Sequence, residues 1–325
     1  MAPAIDKDGL GECQSVTITC ISEIGWHDTD RMLADIKADN GPDASQWTKS
    51  WHADNAAGSA SLVEVTLLDG RRRRFLIDCG WSDAYMGRRF QESGVADMLE
   101  NGAIDFLFLS HEHLDHLWGL QAVLRHRPDI TVRVPETFSE DALAFIRGDR
   151  PSPTGNDTVP TIRHTGKIIP TPVGVPTMFY PGCVAVAFDL PILLGIRGEQ
   201  SLYFRVRDHG TVCVTGCCHQ TVTALADYAL ENIATEPTLF GLYGGLHIAP
   251  FGPLTPLQDR MIADMRRFGF RKIAANHCTG QTAITRMIEL GYPVDCASGN
   301  QETPGDQSPD CGNRVTFGRL SESQD

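Results

Sequence analysis

With 325 residues, 42% of them hydrophobic and 21% charged, the chain has the composition of a globular protein with ample length for a large core. Its net charge of -13 excludes the basic surface that nucleic acid requires and disfavours anionic lipid. No apolar run approaches the ~20 residues of a membrane span, and residues 1–11 lack the basic and apolar regions of a secretion signal. The expectation is a cytoplasmic protein acting on a small molecule, with no nucleic-acid or membrane partner. Its ten cysteines are expected as free thiols, and its oligomeric state stays open.

Residues 16–21 alternate β-branched and polar side chains and predict a first strand. Residues 23–57 are polar, with a helix at 29–38 and then Trp47, Trp51 and His52. Such a segment is either a flap over a site or a surface excursion anchored by its tryptophans. Runs 61–68 and 74–77 read as a hairpin about Asp69-Gly70, the dipeptide of a type I′ turn, with four arginines at its solvated end. A helix at 90–99 follows. Residues 104–109 form a brief, continuous apolar run that reads as a buried strand. It empties into Ser110-His111-Glu112-His113-Leu114-Asp115-His116, where four metal-capable side chains fall within six residues. His111 and His113 project to one side of an extended segment, where both imidazoles reach one ion. Asp115 and His116 follow where the chain turns into a helix, in a direction that suits a second ion close by. A solvated loop with a few hydrogen-bonded histidines is the competing reading; three histidines and an aspartate packed behind a strand favour metal.

Helical spacing at 117–127, a strand at 130–134 and a helix at 139–146 imply a right-handed crossover. Residues 151–181, rich in Pro, Thr and Gly, predict loop or isolated edge strand, an insertion serving as lid or pocket wall. Strands follow at 184–188, 201–206 and 212–214, then helix 223–233, strand 239–243, helix 257–267, strand 272–275 and helix 282–290. In the polar tail, 298–325, residues 314–317 add an edge strand and 320–325 fray. Three further histidines sit at strand ends: His219 after Thr215-Gly216-Cys217-Cys218, His247 after Gly244-Gly245-Leu246, and His277 before Cys278-Thr279-Gly280.

The H-x-H-x-D-H pattern behind an apolar strand resembles the signature of the metallo-β-lactamase superfamily. The T-G-C-x-H, G-G-x-H and H-C-T-G elements, with the Glu-Gln-Ser-Leu run at 199–202, resemble its branch labelled 7,8-dihydropterin-6-methyl-4-(β-D-ribofuranosyl)aminobenzene-5'-phosphate synthase-like, over roughly residues 60–297. The resemblance implies an α/β fold, an αββα four-layer sandwich of metallo-β-lactamase type, as one domain over 1–325. It implies metal ligation by His111, His113, Asp115 and His116, with His277 on the second ion. His219 stands near the place of the first ion's third ligand, because the chain lacks a G-H-T-x-G element between Asp129 and Gly210, and neither His164 nor His209 replaces it. Asp78, before Cys79-Gly80, matches the aspartate that orients the metal loop's imidazoles. Cys217 or Cys218 stands where many relatives have a bridging aspartate. A thiolate there can ligate zinc; a buried structural cysteine is the alternative, favoured for Cys218 and open for Cys217. His247 is a candidate substrate contact, since its two glycines allow close backbone approach. Trp118, where relatives often carry glycine, is expected to shape the pocket.

The expected activity is metal-dependent hydrolysis of an ester, lactone, thioester, phosphoester or pterin-linked substrate, with Asp115 steering water or accepting its proton. The expected cofactor is Zn2+, one or two ions, with Fe or Mn as alternatives. An iron-dependent oxidoreductase on the same fold, or a metal-stabilised binding protein, are the alternatives. Iron content with activity lost anaerobically marks the first, and a coordination sphere without an open position marks the second.

Overall fold

The computed structural model describes residues 6–153, 161–295, 309 and 311–319. The first half runs β1 (Cys13–Ser22), α1 (Thr29–Lys37), β2 (Ala60–Leu67), β3 (Arg72–Ile77), α2 (Asp83–Glu92), α3 (Val95–Glu100), β4 (Phe106–Phe108), α4 (Leu114–Leu117), α5 (Leu120–Leu124), β5 (Thr131–Pro135) and α6 (Glu140–Arg147). Next come β6 (Ile168–Thr171), β7 (Thr177–Tyr180), β8 (Cys183–Ile192), β9 (Ile196–Val206) and β10 (Gly210–Thr215). The chain continues with α7 (Val222–Asn232), β11 (Gly241–Gly245), α8 (Pro256–Asp264), β12 (Lys272–Asn276), α9 (Gln281–Glu289) and β13 (Arg314–Gly318).

The strands follow the order β12-β11-β10-β9-β1-β2-β3-β4-β5-β6, with β13 on β1 and β7-β8 on β9. The two halves of this path meet at one parallel pairing, Cys13 against Val206. Alternation along each strand then sorts side chains into separate layers. Phe75 and Ile77 of β3, Phe106 and Phe108 of β4, Leu202 and Phe204 of β9, and Val212 and Val214 of β10 share a central core between the two sheets. Leu76 and Leu107 face the opposite way, into a core with Met86, Phe90, Leu99 and Leu124 of the first half's helices. Cys213, Leu242 and Ile273 face a third core with Leu225, Ile262 and Met287 of α7, α8 and α9. Helix, sheet, sheet and helix are thus stacked, as the resemblance implies, each interface closed by apolar side chains.

Several local expectations are corrected. The β2–β3 hairpin is not type I′: only Gly70 takes positive φ (83°), and its N–H donates to Leu67 O in a longer turn. The helix expected at 90–99 is two, α2 and α3, divided at Ser93-Gly94. The helix expected at 117–127 is likewise split, with a break at Trp118-Gly119, where Gly119 N–H donates to Gly80 O. Within 151–181, β6 is an edge strand beside β5, as expected, and β7 adds a strand paired with β8; the rest of its described part lies outside the sheets. Residues 154–160 of that stretch, and most of the tail at 298–325, lie outside the described residues, while the expected edge strand is present as β13 against β1. Among the described residues no helix is long and apolar enough to cross a membrane.

Candidate metal centre

Strands β3 and β4 run parallel and end together at Asp78 and Ser110. Strands β10, β11 and β12 are parallel neighbours, so the loops carrying Cys217 and His219, His247, and His277 open along one edge. The chain turns abruptly at these ends: Asp78, Cys218, His247 and His277 hold φ of 60°, 59°, 44° and 50°, a region costly for residues with a Cβ.

The turns gather the side chains into two adjoining groups. In one, the donor atoms of His111, His113 and His219 all lie within 4.8 Å of one another; in the other, those of Asp115, His116 and His277 do the same. His111 Nε2 is 2.9 Å from His113 Nδ1, and His116 Nε2 is 3.2 Å from His277 Nε2. Cys217 stands between the groups, its Sγ 3.2 Å from His116 Nε2, and it also clusters with His219 and His247 and with His277 and Cys278. Cys218 points elsewhere, into the core with α7.

Four of the five rings are held by the far nitrogen. His111 Nδ1 lies 2.9 Å from Ser110 Oγ, His113 Nε2 3.1 Å from Leu193 O, His116 Nδ1 2.7 Å from Asp78 Oδ2, and His277 Nδ1 2.7 Å from Glu23 O. Such bonds fix the tautomer that leaves the inward nitrogen's lone pair free to donate. Asp78 serves two of them, since Ser110 N–H and Oγ–H donate to its two carboxylate oxygens at 2.7 Å.

The donors suit a divalent cation. Burial, reinforced by the neighbouring imidazoles, drives His111 and His219 well below the ordinary histidine pKa, and burial against the opposing pull of Asp115 takes His113 down to about 4, so this group is neutral near pH 7. His219 Nε2 is buried without a hydrogen-bond partner, and so is Nδ1 of His247 beside it. An orphaned imidazole nitrogen facing two other imidazoles is what a metal would satisfy. In the second group burial opposes charge, yet His116 and His277 hold the Asp115 carboxyl below its ordinary range, and Asp115 and Cys278 push His277 up to about 10. That group pairs a carboxylate with a cation, and a dication can take the proton's place. Burial, then Cys278 and the nearby carboxylates, keep Cys217 a thiol above its ordinary pKa until a cation competes for the sulfur.

Several residues that the sequence did not assign to the site support it. Glu199, fully buried, accepts from Thr215 Oγ1 and from the N–H groups of Cys217, Cys218 and His219 at 3.0, 2.9, 2.8 and 2.7 Å, fixing the loop that presents sulfur and imidazole. Gln46, also fully buried, donates to Glu112 O and accepts from Leu114 N–H, clamping the histidine loop from the polar segment at 23–57. Glu23 accepts from His277 N–H at 3.0 Å. A Cβ on Gly25 would stand 2.7 Å from Asp115 Oδ2 and 3.0 Å from His277 Cε1, so only glycine lets the backbone pass so close. The 23–57 segment is both anchored and site-bearing: Trp47 and Trp51 are buried, while Trp26, Met32 and Ile36 line a cavity over the donors.

Trp118 does not shape that cavity. The helix break turns its ring into the core, 5.2 Å from Trp47 and 6.3 Å from Trp51, at 1% exposure. His164 is bonded to Ile130 O and His209 to Arg207 O, away from both donor groups. His247 lies beside His219, ring centroids 4.4 Å apart, at the cavity wall.

Four layers with histidines, an aspartate and a cysteine at the strand mouths define a metallo-β-lactamase-type fold. Residues 58–191 match the family model described as the Metallo-beta-lactamase superfamily. The fold is similar to the crystal structure of Tm1679, a metal-dependent hydrolase of the β-lactamase superfamily: TM-score 0.55 at 16% identity, covering 94% of this chain and all of that one (100%). It is also similar to the metallo-β-lactamase fold protein YhfI from Bacillus subtilis, with TM-score 0.46 and 12% identity over 84% of this chain and 92% of that one. The family match spans residues 58–191, and the fold shared with Tm1679 extends over 94% of this chain. Among curated proteins, none matches significantly.

Proposed function

We propose that the chain is a metal-dependent hydrolase of small molecules, with one ion held by His111, His113 and His219 and a second by Asp115, His116 and His277. The observation that carries this reading is the pair of three-residue donor groups, contiguous and buried, with four of the five imidazoles held at the far nitrogen. Zinc is the ion best suited to imidazole, carboxylate and thiol donors, with iron or manganese as alternatives. When bound, a divalent ion supplies Lewis acidity, polarising the scissile group and making water more acidic.

The chain's own residues do the rest. Ser110, Asp78, Glu23 and the Leu193 carbonyl hold the imidazoles in one tautomer and orientation, so no reorganisation is needed during reaction. Asp115, held as a carboxylate at the junction of the groups, orients water and accepts its proton. Cys217 occupies the position between the groups and is offered as a thiolate donor shared by them. The T-G-C-x-H, G-G-x-H and H-C-T-G elements support placement in the dihydropterin-synthase-like branch, without carrying over its substrate.

Metal analysis of the purified chain and of His113→Ala tests the proposal, alongside hydrolysis of ester, lactone and phosphoester compounds. Wild type is expected to hold one or two ions per chain and the variant to lose both metal and hydrolysis. A variant with wild-type metal content would overturn the assignment.

A further inference from the structure

The cavity over the donors is walled by Trp26, Met32, Ile36, Leu193, Leu194 and Phe251. Trp26 and Phe251 stack at 5.5 Å and 27°, and Trp26 meets the His277 ring edge-on at 6.3 Å, so the aromatic wall ends at the donors themselves. The Trp26 indole N–H donates to Thr29 Oγ1, which leaves that ring only apolar surface to offer. Leu193 is 45% exposed at the rim, and its carbonyl is the acceptor that holds His113. An apolar side chain this open, tied by its own backbone to a donor residue, offers surface that a ligand would cover.

Charge points the same way. No Lys or Arg lines this cavity or the adjoining one beside His219 and His247, where the added ionisable group is the acidic Asp43. The segments outside the described residues contain no Lys or Arg in their sequence. Nearby cations are engaged elsewhere: Arg31 with Asp54, Arg150 with Asp141, Arg197 with Asp189, and Lys49 with backbone carbonyls of the loop after α1. Many sites for phosphoryl groups add Arg or Lys to their metal ions, because the group carries charge on several oxygens before and during reaction. An acyl group is uncharged before attack and develops charge on one oxygen only.

We propose that the substrate is an uncharged carboxylic ester, thioester or lactone whose acyl side lies on the Trp26–Phe251 wall, and not a phosphoester. The inference rests on the hydrolase reading and narrows it. In the reaction, the oxygen of water bonds to the acyl carbon and the bond from that carbon to the leaving oxygen or sulfur breaks. A proton of the water passes to the leaving atom, giving a carboxylic acid and an alcohol or thiol.

The test uses zinc-loaded full-length protein and compounds with one leaving group: p-nitrophenyl acetate, butyrate and hexanoate against p-nitrophenyl phosphate and bis(p-nitrophenyl) phosphate. The acyl esters are expected to be hydrolysed in preference, with kcat/KM rising roughly fourfold per added methylene. Trp26→Ala should raise KM for the hexanoate roughly tenfold with kcat and zinc content retained, and Trp26→Phe should restore it. Preference for either phosphoester, or a Trp26→Ala variant with unchanged KM, would overturn the inference and leave the hydrolase reading standing. Hydrolysis of none of the five compounds by zinc-loaded protein would instead overturn the hydrolase reading, and this inference with it.

Discussion

Glu199→Gln is the perturbation that separates support of the site from the site itself, since Glu199 is not among the donor atoms. One carboxylate oxygen accepts from Thr215 Oγ1, Cys217 N–H and Cys218 N–H, and the other from His219 N–H at 2.7 Å. If glutamine keeps its carbonyl oxygen toward the first three donors, its NH2 group must face the His219 N–H, donor against donor. A buried N–H left without an acceptor costs about 1–3 kcal/mol, and the three remaining bonds lose whatever charge assistance the carboxylate gave. Burial raises the Glu199 pKa against these four donors, which trims that second contribution. The net expectation is a loss of about 3 kcal/mol in urea unfolding at neutral pH, with depletion of the ion beside His219 in metal analysis. A loss under about 1 kcal/mol with metal content intact would refute the reasoning.

Glu112→Gln should act through pH. Burial pushes this carboxyl up to about 7 against the Ser139 N–H that donates to it, so between its ordinary pKa of 4.5 and 7 the folded chain keeps a proton that the unfolded chain has released. Wild-type stability falls through that window by up to about 3 kcal/mol, and the metal-stripped variant should gain over metal-stripped wild type between pH 5 and pH 8; equal differences at both values would contradict it. Gly25→Ala should weaken binding at Asp115 and His277 about tenfold, or about 1.4 kcal/mol, by isothermal titration with zinc, and unchanged affinity would show that the crowding is relieved cheaply. Cys217→Ser should lower zinc affinity and flatten its fall at acid pH, because a thiol must release a proton to bind; a titration identical to wild type would make the sulfur a packing group.

The clustering of the H-x-H-x-D-H side chains was legible because their geometry is local: one strand, one turn and two-residue spacing place His111 beside His113. His219 and His277 were legible as residues at strand ends, a position that survives errors of a residue or two in strand length. The four layers were implied by the family resemblance; the alternation that builds them is visible in the structure, where Phe75, Leu76 and Ile77 enter two different cores from one strand. Contacts set by distant segments were not legible. Glu23 reaches His277 across 254 residues and Gln46 reaches Glu112 across 66, and neither leaves a mark on its own neighbourhood. Trp118 misled for the same reason: its direction depends on the break before α5 and on Trp47 and Trp51, which arrive from another segment. Within 151–181 the prolines pointed to loop or edge strand, and β6 is an edge strand with Pro170 against Val134, while β7 against β8 was not legible.

Anomalous diffraction at the zinc edge from crystals of the zinc-loaded chain tests the two-group metal centre most directly. Two peaks about 3.5–4 Å apart are expected, one against His111, His113 and His219 and the other against Asp115, His116 and His277, with the Cys217 sulfur between them. A single peak elsewhere, or density that leaves either group of three without an ion, would contradict it.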